Sequence, residues 1–277
     1  MDVEVDVLEF VVPVENNKTL FVWDIQPCFT EDVVHAQLFG VFSSFGPLYL
    51  LKVSPSAPFH PPGFSALIKF YSAAQASKAQ RLTDGRSLFQ SSPLKVKLSS
   101  KQTHFLSHIR PLSHTHCMDL ANHYLGFNGW TSDIITLKEL PSAEEEEGGG
   151  EFEEGGGMRR RLRFGCLLQI SFPHYGQKTR GAAVVEDSFT CTGPDVLLQK
   201  RCKLQKLVRD QALVQAFTTV LLILLGNGKV MVEVKQTSDQ FLPEQSEGVL
   251  QVNELSWGQF PPDKEEREDE EWDLTTS

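Results

Sequence analysis

Cysteine is scarce in this 277-residue chain. Five are scattered at positions 28, 117, 166, 191 and 202, and no Cys-x-x-Cys occurs. That excludes a disulfide scaffold and a paired-thiol metal finger, and it leads us to expect reduced thiols inside a cell. Long hydrophobic runs are lacking too. The longest, Val220 to Leu225, is far too short to cross a bilayer and reads as the buried end of a helix. The first sixteen residues contain no base, which argues against a secretory or mitochondrial presequence. No Gly-Lys-Ser/Thr follows Gly226-Asn227-Gly228, so that triplet reads as a helix stop and not as a phosphate loop. No nucleophile, histidine and acid stand in a catalytic pattern, and nothing brings Asp24 and Asp187 together as a carboxylate pair. The expectation is a non-enzyme with no cofactor.

What is present is charge, unevenly distributed. The net charge is −10, but residues 1–16 carry −5, 141–157 carry −7 from seven glutamates, and 236–277 carry −10. Residues 17–100 carry +4 and 158–235 carry +8, while 101–140 balance. The basic stretches are those patterned to fold. The acidic ones read as an acidic N-terminal segment, a Glu/Gly-rich loop and an acidic tail, all outside the packed domains.

Within 17–100, Leu20 to Ile25 is a strand, with Leu20 and Val22 on one face and Phe21 and Trp23 on the other. Thr30 is placed to cap a helix whose first turn holds Glu31 and Asp32, and whose apolar stripe is Val34, Leu38, Val41 and Phe45. Leu48 to Val53 and Phe64 to Tyr71 are strands. An alanine-rich helix from Ser72 to Leu82 and a last strand from Leu94 to Leu98 follow. This βαββαβ order resembles the RNA recognition motif, a ferredoxin-like fold. In that family aromatic residues on two central strands stack unpaired bases. Phe21 matches the first stacking position, and Trp23 shares its face. In the third strand, Ser65 and Leu67 stand where the family has aromatics, and Phe64 could return to that face only through a bulge. Lys69, Lys95 and Lys97 are candidates for backbone contacts. The alternative is that Phe21 and Trp23 pack under the N-terminal segment or against the other domain.

A His-rich linker, 101–116, leads to the second domain, 117–235. The string Leu120 to Trp130 reads as a helix end, a stop at Gly126 with Phe127 folding back, a reversal at Asn128-Gly129, and the start of a strand. Strands are expected from Trp130 to Leu140, Arg161 to Phe172 and Thr179 to Asp187, then one long helix from Pro194 to about Leu225 and a strand from Lys229 to Lys235. The opening string and the α-βββ-α order resemble the annealing core of the Rad-fifty-two recombination mediator. On the long helix, Lys203, Lys206 and Arg209 recur on one side with Lys200 nearby, and Leu197, Leu204, Val208 and Ala212 form the apolar side. Arg159, Arg160, Arg161 and Arg163 enter the strand before it. Rows of cations of this kind suit a phosphate backbone.

Together the two halves resemble the Rad-fifty-two motif-containing protein family. The resemblance implies binding of single- and double-stranded DNA and of RNA, a link to DNA damage response and recombinational repair, and a place in nucleus and cytoplasm. It also implies homo-oligomerisation through the second domain and repair proteins as partners. A competing reading is a protein-interaction scaffold or an RNA-processing factor. His104, His108, His114, His116, Cys117 and His123 cluster without finger spacing, so no metal is expected. The acidic tail, with Trp272 embedded, reads as a solubilising segment or as one that occupies a basic groove.

Overall fold

The computed structural model describes residues 5–56, 63–99, 110–141 and 158–235. The glutamates of 142–157, the tail from 236, and His104 and His108 lie outside these ranges. The fold is α+β, with a six-element core, a five-element core and a third sheet.

The first core is βαββαβ. It contains β2 (Thr19–Ile25), α1 (Glu31–Phe42), β3 (Leu48–Pro55), β4 (Phe64–Phe70), α2 (Ala73–Thr83) and β5 (Lys95–Leu98). The antiparallel sheet runs β3-β4-β2-β5. Period two decides its two faces. Leu20, Val22, Ala66, Ile68 and Phe70 are buried under the helices, and Phe21 is 44% exposed on the open side. Phe64 shares the buried parity and packs against the core, so it does not reach the open face. The irregularity lies instead in β2, where register slips between Val22 and Ile25 and Asp24 takes φ 62°. The Gln90 side chain holds that bulge, donating to the Asp24 carbonyl at 2.8 Å and accepting from the Gln26 N–H at 2.9 Å. Ser72 caps α2 by accepting from the Gln75 N–H at 3.1 Å. Thr30 sits at the start of α1 but makes no such side-chain bond, and Phe42 takes the buried place expected of Val41.

The second core is α-βββ-α. Its elements are α3 (His114–Leu125), β6 (Thr131–Leu140), β7 (Met158–Phe172), β8 (Gln177–Cys191) and α4 (Pro194–Phe217). Both helices contribute to the same apolar cluster as Leu162, Phe164, Cys166, Leu168, Ile170 and Phe172 of β7. The helix α4 covers one face of the β6-β7-β8 sheet, and α3 packs beside α4. Gly181 of β8 lets α4 come close, because a Cβ there would collide with the Ala212 carbonyl and the Ala216 backbone. The helix α3 starts inside the expected linker, at His114, with Ser113 accepting from the His116 N–H at 3.3 Å. Gly126 ends it at φ 76°. Phe127 is 86% exposed and does not fold back. Neither Asn128 nor Gly129 takes positive φ. The reversal is held instead by Trp130, whose indole N–H donates to Asn122 Oδ1 at 3.0 Å.

Two expectations fail in the same place. The helix α4 ends at Phe217, and Val220–Leu225 is a strand, β9, pairing with β10 (Val230–Val234). Gly226-Asn227-Gly228 is the hairpin turn between them, not a helix stop, with Gly228 at φ 79°. A short run of apolar residues has no periodicity to separate helix from strand, and the Asn-Gly turn signal decides it. The partner on the other edge of β9 is the acidic N-terminal segment. Val5–Glu9 forms β1, antiparallel to β9, in the order β1-β9-β10. Leu8 and Phe10 are fully buried, and Phe10 stacks on Phe217 at 4.6 Å. The segment is thus a strand of the second domain. Leu8 and Phe10 are its apolar anchors, and its carboxylates find partners, Glu9 with Lys235 at 3.0 Å and Asp6 with the Ser72 hydroxyl.

The first domain is consequently held at both ends. Val12 donates to the Arg110 carbonyl at 2.8 Å, and Leu112 donates to the Phe10 carbonyl at 3.1 Å. Across the junction, Gln75 donates to the Tyr124 hydroxyl at 3.0 Å, and Tyr49 packs against Tyr71 and His116.

Candidate nucleic-acid interface

The open face of the first sheet carries a depression of about 510 Å³ lined by Phe21, Trp23, Lys52, Ser65, Leu67 and Lys97, among others. Strand register builds it. Lys52 stands opposite Leu67, Leu67 opposite Phe21, and Phe21 opposite Lys97, so one cross-strand row runs cation, apolar, aromatic, cation. Phe21 and Trp23 lie 5.6 Å apart, tilted by 31°. The Lys97 ammonium sits 5.7 Å from the Trp23 ring centroid, a cation–π contact that keeps a positive charge at the rim of the platform. Leu67, the cross-strand neighbour of Phe21, lines the same depression.

The other candidates in this domain differ in availability. Lys95 is paired with Asp24 at 2.8 Å on an exposed rim. Lys69 is half-buried, and burial depresses its pKa while the nearby Glu15 pulls the other way. Glu15 is itself engaged by Lys18 at 2.9 Å. Lys52 escaped the reading of the sequence. Its signal was parity, because period two from Val53, which is buried, turns Lys52 to the open side.

In the second domain the candidates divide between two faces. On α4, Leu204, Val208 and Ala212 are buried, and Lys203, Lys206 and Arg209 are exposed on the outer side. Arg209 Nε donates to the Gln205 carbonyl at 3.0 Å, which orients its guanidinium along the helix. Asp210, the acid of this row, faces His114 of α3 at 3.7 Å. Lys200 does not join the row. It pairs with Asp187 at 2.8 Å and lies 5.1 Å from the Phe189 ring, tucked between helix and sheet. Asp24 and Asp187 stand on different sheets, and each is engaged by a lysine, Asp24 by Lys95 of β5 and Asp187 by Lys200 of α4.

Arg159, Arg161 and Arg163 alternate with the buried Leu162 and Phe164, so they occupy the sheet face away from α4. Arg160 has the helix-side parity. Arg161 is bound to Glu186. The rows of cations read from the sequence therefore do not share a face: Arg159, Arg161 and Arg163 lie on the side of the sheet away from α4 and its lysines. Three more cations share the arginine face by register. Lys138 is opposite Gly165, Lys178 opposite Ser171 and Arg180 opposite Gln169.

His114, His116 and His123 are the histidines of the cluster that lie among the described residues. His116 is bonded to Ser113 at 2.8 Å, His123 is partly buried with its pKa lowered by that burial, and burial pushes the Cys117 thiol up to about 12. Among the described residues no group of three metal-ligating side chains occurs, and no helix is long and apolar enough to cross a membrane.

A family model described as the RDM1 DSRM domain matches residues 112–221, from the end of the junction into β9. RAD52 motif-containing protein 1 of Danio rerio is 50% identical over 278 residues, covering 99% of this chain and 98% of that protein. The Gallus gallus protein of the same name is 40% identical (94% of this chain, 92% of that protein), and the Homo sapiens one is 36% identical (94% and 93%). Among solved structures, the RRM3 domain of Mip6 is similar at 19% identity and TM-score 0.26, covering 32% of this chain and all of that one. The RRM domain of S. pombe Puf1 gives 17% identity and TM-score 0.25, covering 37% of this chain and 99% of that one.

Proposed function

The chain belongs to the RAD52 motif-containing protein family, and from that premise we propose that it binds nucleic acid without catalysing a reaction. The observation that carries this reading is the row Lys52, Leu67, Phe21 and Lys97 on the open sheet. An aromatic platform between two ammonium groups suits an unpaired base with a phosphate on either side. One or two stacked bases contribute roughly 1–3 kcal/mol each. That is too little alone for tight binding, so the second domain supplies the rest through Lys203, Lys206 and Arg209. Single-stranded or distorted DNA and RNA are the favoured ligands, because stacking needs bases that are not paired. A role in DNA damage response and recombinational repair, in nucleus and cytoplasm, extends the same proposal.

The test is filter binding with matched DNA and RNA oligomers, single- and double-stranded, at two ionic strengths. If Lys52, Lys97, Lys203, Lys206 and Arg209 each neutralise a phosphate, the slope of log affinity on log salt for single strands is about −3.5. Phe21→Ala should weaken unpaired ligands selectively, and Lys206→Ala with Arg209→Ala should weaken all sequences alike. A slope near zero contradicts the proposal.

A second reading, a protein-interaction scaffold, is favoured by one observation. Phe29, Val33 and Phe39 are exposed on and beside α1, on the side away from its buried Val34, Leu38 and Phe42. If Phe21→Ala with Trp23→Ala leaves oligonucleotide binding intact while Phe39→Ala abolishes a cellular partner contact, this reading replaces the first for the N-terminal domain.

A further inference from the structure

The second domain is a two-layer slab with cations on both outer surfaces, and we propose that one molecule bridges two nucleic-acid duplexes, one on each surface. The inference rests on the reading of α4 as a phosphate-binding helix and goes beyond it.

Alternation fixes the geometry. In β7 the buried Leu162, Phe164 and Cys166 lie under α4, which sends Arg159, Arg161 and Arg163 to the far side. In β8 the buried Thr179 and the close-packed Gly181 face the helix, which sends Lys178 and Arg180 to that same far side. Residues two apart in a strand are about 6.8 Å apart, so the arginines form a regular row along the sheet. Lys138 from β6 completes the face. Against these six cations the described residues of the face show two carboxylates, Asp133 and Glu186, of which Glu186 holds Arg161. Arg159, Arg163, Lys178, Arg180 and Lys138 are exposed.

The chemistry of the two surfaces is the same and differs from that of the first domain. Neither the arginine face nor the outer side of α4 presents an aromatic ring among the described residues. Phosphate contact without base stacking does not require unpaired bases, so duplexes are accepted. A straight duplex cannot touch opposite sides of a slab built of one sheet and its helices. Two occupied surfaces therefore mean two duplex segments held by one protein molecule. The stacking face of the first domain does not contribute, because paired bases are not available to it.

The experiment uses the full chain. One biotinylated duplex is immobilised, protein is added, and capture of a second, fluorescent duplex is measured at low salt. One variant reverses charge on the sheet (R159E, R163E and R180E) and the other on the helix (K203E, K206E and R209E). The neutral set R159Q, R163Q and R180Q guards against misfolding, with thermal melts as control. Wild-type protein should capture the second duplex. Each variant should still bind one duplex, about tenfold more weakly, and should lose capture at least tenfold. An equal mixture of the two variants should not restore it. Capture that survives in either variant, or returns on mixing because singly occupied copies associate, overturns the proposal. Variants that weaken single-duplex binding, beside a wild type that captures nothing, sink the bridging while leaving the binding reading in place. Variants without effect on single-duplex binding sink both.

Discussion

Replacing Phe10 with alanine tests the claim that an acidic leader is part of the second domain's core. Phe10 is fully buried, stacks on Phe217 at 4.6 Å, and shares a cluster with Trp130, Val220 and Leu222. Truncating a buried phenylalanine costs about 3–5 kcal/mol, from lost transfer energy and the cavity left behind. For a unit of about 200 residues, 1 kcal/mol moves Tm by roughly 2–4 °C, so a drop of about 6–20 °C is expected. The signal must be localised, because a protein with more than one core need not unfold in a single step. Amide hydrogen exchange supplies this: Val220–Leu225 should lose protection, since β1 is the partner strand of β9. Phe127→Ala is the control, because that ring is 86% exposed and its removal should change stability by less than about 0.5 kcal/mol. If Phe10→Ala melts within 1 °C of wild type, and exchange in β9 is unaltered, the first residues are an appendage and the reasoning is refuted.

Gly181→Ala places a methyl against the backbone of α4 at Ala212 and Ala216, and urea titration should show a loss of at least about 2 kcal/mol. Trp130→Phe removes the N–H that Asn122 accepts at 3.0 Å, at an expected cost of about 1–2 kcal/mol by thermal melt. Iodoacetamide at pH 8 should label the exposed Cys28 and Cys202 and spare Cys117. Burial raises the Cys117 thiol to about 12, so its reactive thiolate is nearly absent until the protein unfolds. Mass spectrometry of native and denatured samples checks this.

The first domain was legible because each of its elements announces itself. Alternation in Leu20 to Ile25 separates the open face from the core, and that open face carries Phe21 and Trp23 beside a depression. The second domain was half legible. Its central strands and helix could be read, but Val220 to Leu225 carries no period, so length and the following Asn-Gly had to decide between helix and strand. Acidity hid β1, because composition sees five carboxylates and not the two apolar side chains, Leu8 and Phe10, that fix the strand. The split of cations was available from parity alone, since a strand from Arg161 to Phe172 sends successive side chains to opposite faces. What no local pattern reveals is the pairing of Lys200 with Asp187 or of Arg161 with Glu186, which depends on how the layers meet.

The pairing of Val5–Glu9 with Val220–Leu225 also sets an order of events during synthesis. The first strand leaves the ribosome some two hundred residues before its mate, a wait of about 10–40 s at ordinary translation speeds. The intervening βαββαβ unit has only nearer contacts to make and can close in that interval. The last domain to finish is thus the one whose first piece was made earliest, and until then that piece is an unpaired apolar edge for chaperones to guard.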